Sequence, residues 1–142
     1  MIISKFDSAI RQKIDAHTEL CRLLSTARGC KKARVEALHR REAANATGIC
    51  PGCGESLLNN SKLDGWCKTC SSRLGRMMLY KSKIRRHEPV GIKATARFVE
   101  DYAAMKSLPY ALRGDAGSDK VLEAATKYLD ALIKEATLHE HK

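Results

Sequence analysis

The chain has 142 residues and a mass of 15.7 kDa, and its 26 Lys plus Arg outweigh 16 Asp plus Glu to give a formal net charge of +10. An apolar content of 44% is enough for a packed core, which excludes wholesale disorder, and no apolar run approaches the roughly 20 residues that span a bilayer. With 5% aromatics, nine glycines and three prolines, the composition favours helices over sandwiches or barrels, and charges enter the first residues too early for a signal peptide, so a mainly α, cytoplasmic protein is expected.

From Ile2 to about Arg28 the residues Ile3, Phe6, Ile10, Ile14, His17, Cys21 and Leu24 recur three or four apart, which predicts one helix with that stripe inward. Gly29 interrupts it. An Ala- and Arg-rich run from Lys31 to Ala46 then resumes a helical composition, with Val35 and Leu38 as its main apolar contacts. A helical hairpin over residues 1–47 is the expected arrangement, and one long kinked helix is the alternative.

Residues 48–72 have no helical period and are rich in Gly, Asn, Ser and Cys. Cys50-Pro-Gly-Cys53 and Cys67-Lys-Thr-Cys70 are two C-x2-C pairs separated by thirteen residues. Thiolates at that short spacing wrap one face of a zinc ion, and a second pair closes the tetrahedron. Four protein ligands leave no position open for water, so one structural Zn2+ is expected, and the site has no catalytic role. Gly54, directly after Cys53, suits a knuckle that needs positive φ. The second pair runs into a helical pattern with Ser71 or Ser72 as its expected cap, which predicts a treble-clef finger; a zinc ribbon, with both pairs on knuckles, is the alternative.

After the finger, a helix is expected with Leu74, Met77, Met78, Lys81 and Ile84 on one side, ending before Pro89. A further helix spans roughly 91–107, with Ile92, Ala96, Phe98, Val99, Tyr102 and Ala103 as its apolar positions and Pro109 closing it. A last helix from about 119 to 138 carries Val121, Leu122, Ala125, Tyr128, Leu129, Leu132 and Ile133 on a broad apolar face. These helices, residues 73–142, are expected to pack on the finger.

The string GICPGCGESL from Gly48 to Leu57, a short connector, and Cys67-Lys-Thr-Cys70 resemble the finger of the DksA/TraR group of RNA polymerase-binding regulators, which also follows an N-terminal helical hairpin. The same segment is similar to the N-x-K-x-D-G-x-C-K-x-C fingers of small phage proteins, including relatives of endonuclease VII. The resemblance covers about 25 of 142 residues, and the cysteines carry most of it. It implies a regulatory protein whose partner is RNA polymerase or another host complex. The polymerase regulators bear acidic residues at the hairpin tip, where this chain has Arg28, Lys31 and Lys32. The endonucleases set a His beside the zinc loops, and no His lies between Cys50 and Cys70.

Charge is unevenly distributed. Residues 1–47 carry net +5, residues 48–72 net zero, residues 73–97 net +7 and residues 98–142 net −2. Arg73, Arg76, Lys81, Lys83, Arg85, Arg86, Lys93 and Arg97 follow the finger directly, and Arg73, Arg76, Lys83 and Arg86 share a helix face. Such a band tracks phosphates with steeply salt-dependent affinity, so nucleic acid is the expected partner; Trp66 is expected to pack on the knuckles rather than stack on bases. Cys21 is expected to be a buried thiol and Cys30 a loop thiol. The sequence has no phosphate-cradling Gly loop, no nucleophile elbow and no paired carboxylates in an apolar setting, so no enzyme activity, no small-molecule substrate and no membrane partner are expected. The alternative reading is a protein-binding regulator or phage-type inhibitor of a host machine such as RNA polymerase.

Overall fold

The computed structural model describes residues 5–25, 31–57, 65–105 and 118–140. Five helices carry these residues: α1 (Lys5–Ser25), α2 (Lys31–Ala46), α3 (Lys68–Arg85), α4 (Ile92–Ala104) and α5 (Ser118–Glu140). Between α2 and α3 the described backbone makes a single isolated antiparallel bridge, Ile49 to Ser56. The mainly helical class with a four-cysteine cluster is as expected. The predicted turn at Gly29 and the closure of α4 by Pro109 fall outside the described residues.

Helix α1 takes α5 as its principal partner, α5 also packs on α4, α4 on α3, and α3 on α1. Leu20, Leu23 and Leu24 of α1 meet Val121, Ala124, Ala125 and Tyr128 of α5 in a core that also contains Met77, Tyr80 and Ile84 of α3 and Phe98, Tyr102 and Met105 around α4. The buried side of α1 is therefore rotated from the expected stripe toward Ala9 and Leu20, and Ile14 is 56% exposed. Small residues on facing turns let two long helices approach closely, and that gain outranks the burial of one isoleucine. Ile133 and Met78, expected inward, are likewise exposed, whereas Lys81 is buried.

Among the described residues, no side chain of α2 joins this core, and its Val35 and Leu38 are about 40% exposed. Its C-terminal end is anchored: the amides of Thr47 and Ile49 donate to the Ala44 carbonyl at 3.1 and 3.0 Å, and Asn45 packs directly against Gly65.

Helix α3 stops at a well-defined cap. The amide of His87 donates to the carbonyl of Ile84 and that of Glu88 to the carbonyl of Lys83, at 3.0 and 2.9 Å, with His87 in the left-handed region at φ 56°. This paired closure satisfies carbonyls that the last turn would leave orphaned, and Pro89, two residues on, cannot continue a helix.

Candidate metal centre

The first knuckle is built by backbone geometry. Gly54 donates its amide to the Cys50 carbonyl at 2.9 Å and Cys50 donates to the Glu55 carbonyl at 2.8 Å. Gly54 takes φ 81°, a conformation that costs a residue with a Cβ about 1–2 kcal/mol. The second pair sits on α3. Cys67 is the residue that caps the helix, its sulfur accepting from the Cys70 amide at 3.3 Å, and Cys70 lies in the first turn. Ser71 and Ser72 are one turn too late for the role expected of them, because the helix begins at Lys68. One pair on a knuckle and one on a helix start is the treble-clef-like arrangement.

The four sulfurs of Cys50, Cys53, Cys67 and Cys70 lie within 4.8 Å of one another, and the Cys53 and Cys67 sulfurs are 3.6 Å apart. Sulfurs about 2.3 Å from one ion at tetrahedral angles are separated by about 3.8 Å, whereas a disulfide needs about 2.05 Å. The set therefore fits a single metal ion, and all four thiols are free. Cys50, Cys67 and Cys70 are buried and Cys53 is partly so.

A four-thiolate centre around a divalent ion carries net charge −2, which must be offset where it is buried. The Cys67 amide points at the Cys50 sulfur at 3.4 Å, the positive end of α3 faces Cys67 and Cys70, and the Arg73 guanidinium lies 3.9 Å from the Cys70 sulfur. Without metal, burial pushes the Cys70 thiol up, reinforced by the neighbouring sulfurs, and pushes Cys53 up as well. Burial also acts on Cys50, but the amides of Cys67, Cys53 and Gly52 outweigh it and bring that thiol down to about 7.

The finger is docked on the helices. Trp66 is 6% exposed and joins the core with the cysteines, as expected of a residue packed on the knuckles. A Cβ at Gly52 would come within 2.7 Å of the Met105 methyl, 2.8 Å of the Cys70 sulfur and 3.2 Å of the Trp66 ring. Gly65 combines φ 77° with direct contact to Asn45, so it has neither the conformation nor the space for a side chain.

The basic residues expected to bind nucleic acid are not brought to one band. Arg73 faces the finger; Arg76, Lys83 and Arg97 line a groove of about 190 Å³ between α3 and α4. Arg85 and Arg86 lie with Met78, Lys81 and Ser82 on the other side of α3. Lys93 is exposed, one turn before Arg97. Arg76 is engaged by Asp101 through two bonds of 2.9 Å, Arg86 faces Glu88 at 3.4 Å, and Lys81 is 7% exposed. Tyr80 stacks on Phe98 at 4.5 Å and shares a 2.9 Å hydrogen bond with Thr95, so its ring belongs to the core. Cys21 is partly buried against the core; Cys30 lies outside the described residues. Sequence reasoning missed Asp101, whose one signal was a carboxylate within the apolar period of α4, three residues after Phe98.

Comparison with known families, curated proteins and solved structures found no match for the chain. The DksA/TraR likeness therefore rests on the finger residues alone. What the structure carries is a four-cysteine, zinc-finger-like site able to hold a metal ion, and among the described residues no helix is long and apolar enough to cross a membrane.

Proposed function

We propose that the protein is a non-enzymatic zinc-finger protein that binds nucleic acid in an accessory or regulatory role, with Zn2+ closing the four-cysteine site. Four sulfurs within 4.8 Å of one another, two of them accepting from backbone amides, are a donor set zinc prefers, and the ion would be held by Cys50, Cys53, Cys67 and Cys70 to rigidify the start of α3. The observation that supports nucleic acid is the net +7 of residues 73–97, displayed as exposed Arg85, Arg86, Lys93 and Arg97 on and at the end of two helices, α3 and α4, that pack on each other. Cations on rigid helices keep their spacing as they approach a phosphate chain, and binding then releases counterions.

Metal analysis of purified protein should return one zinc per chain. Fluorescence anisotropy with a labelled mixed-sequence duplex should give binding that weakens steeply with salt and depends little on sequence, since the segment offers few Asn or Gln side chains for base edges. Binding that does not respond to salt defeats the reading. A second reading, a protein-binding regulator or inhibitor of a host complex such as RNA polymerase, is favoured by Val35 and Leu38, exposed on a helix that, among the described residues, places no side chain in the core. Purification from lysate with and without nuclease separates the two, because only a protein partner survives digestion.

A further inference from the structure

Two arginines from different helices converge on one buried carboxylate at the α3–α4 groove. Asp101, its side chain 5% exposed, accepts from Arg76 Nε and Nη2 at 2.9 Å each, and Arg97 Nε lies 3.8 Å from the same carboxylate. Lys83 lines the same groove, whose apolar lining is formed by Leu79, Ala94 and the stacked Tyr80 and Phe98. Three cations thus meet one acid, leaving the mouth two charges positive. The Arg97 side chain is 56% exposed, and its Nε stands 3.8 Å from the aspartate, beyond hydrogen-bond distance, so the ion pair leaves this guanidinium open to a further anion. A carboxylate behind a guanidinium fixes the plane of the fork and lowers the entropy lost when that fork takes up an oxyanion.

We propose that Arg76, Arg97 and Lys83, with Asp101 as the positioning residue, form a phosphate clamp that seats one phosphodiester of a nucleic-acid strand in the α3–α4 groove. The inference rests on the nucleic-acid reading above and deepens it by naming where the backbone is held. Lys93, one turn before Arg97, continues the cationic wall along α4, and the apolar lining accommodates a sugar edge.

The clamp makes a prediction opposite to that of charge counting. Asp101→Asn raises the net charge by one, so binding governed by bulk charge tightens; binding governed by an oriented arginine pair weakens, by about five-fold. The measurement is anisotropy of the zinc-loaded full chain with fluorescein-labelled duplex DNA and single-stranded RNA. Arg97→Lys, which keeps the charge and removes the fork, should weaken binding about three-fold, and Arg97→Ala should lower the salt slope by about one unit. Tighter or unchanged binding by a folded Asp101→Asn protein overturns the clamp. If thermal melting shows that this variant does not fold, Arg97→Lys decides, and unchanged affinity overturns the proposal. If the unaltered protein binds neither probe, the nucleic-acid reading fails on its own. Titration with inorganic phosphate, followed by the arginine Nε–H resonances, then tests the clamp separately: saturable shifts at Arg76 and Arg97 sustain it as a site for free phosphate, and their absence overturns it.

Discussion

His87 occupies the position after α3 where glycine is the easiest residue, because a Cβ in the left-handed region meets the following carbonyl. Its φ of 56° is retained because the two closing hydrogen bonds and Pro89 leave the chain no other way to end the helix. His87→Gly should therefore raise stability by about 1 kcal/mol in chemical denaturation. The same residue stands beside His17 of α1, ring centroids 5.6 Å apart, and the Tyr128 ring lies 5.4 Å from His17. Burial and then the charge of His87 push the His17 pKa below 6.5. The folded state thus holds His17 neutral, and the unfolded state takes up the proton first. Stability contributed at this contact is complete above 6.5 and lost as pH falls below it, so His17→Gln should flatten the acid limb of a stability profile between pH 7 and 5. At Gly52 the space is closed by Met105, Cys70 and Trp66. Gly52→Ala should cost about 1–3 kcal/mol and weaken metal affinity together, read as melting temperature and zinc retention under chelator.

At the scale of elements, α3 begins where the metal site ends. Cys67 serves as helix cap and is one of the four cysteines that could hold a metal ion, so the two roles can be separated by substitution. Cys67→Ser and Cys67→Ala should both lose the ion, but the serine hydroxyl still accepts from the Cys70 amide. The alanine variant should be the less stable by about 1 kcal/mol, with faster hydrogen exchange confined to the first turn of α3. Helix α4 shows the reverse dependence, since the side-chain hydrogen bonds of its polar inward positions come from α3: Thr95 with Tyr80, and Asp101 with Arg76. Asp101 is the buried member of its pair with Arg76, so Asp101→Asn, which can still accept from the guanidinium, should destabilise less than Asp101→Leu, read as melting temperature.

For the whole molecule, the finger's inner face and the helical core are one cluster, so metal occupancy and helical stability are linked. Chelation should lower the melting temperature and shift the fluorescence of Trp66, the only tryptophan, to longer wavelength as its pocket opens. A metal-dependent signal from Trp66 without any change in melting would contradict that linkage. Proton accounting follows from the thiols: with Cys53 and Cys70 pushed up, zinc uptake at pH 7 should release about two protons or more. Zinc binding holds the thiols deprotonated, so its contribution to stability is present at neutral pH and lost on acidification. Calorimetry in buffers of different ionisation enthalpy measures the number released.

The sequence alone determined the four-cysteine cluster, the helical class and the segments that bear the charge, because cysteine spacing, amphipathic period and charge counts are properties of short stretches of chain. Tertiary structure decided which face of each helix turned inward and what each charged group met. Arg76 looks like a surface cation in its own helix, and only Asp101, 25 residues away, makes it half of an ion pair; Lys81 goes inward in the same helix where Met78 stays out. Helix α1 exposes Ile14 because α5 offers alanines to a different side. Periodicity shows that a helix has a buried face, but the depth of burial at each position depends on the shape of a partner distant in sequence.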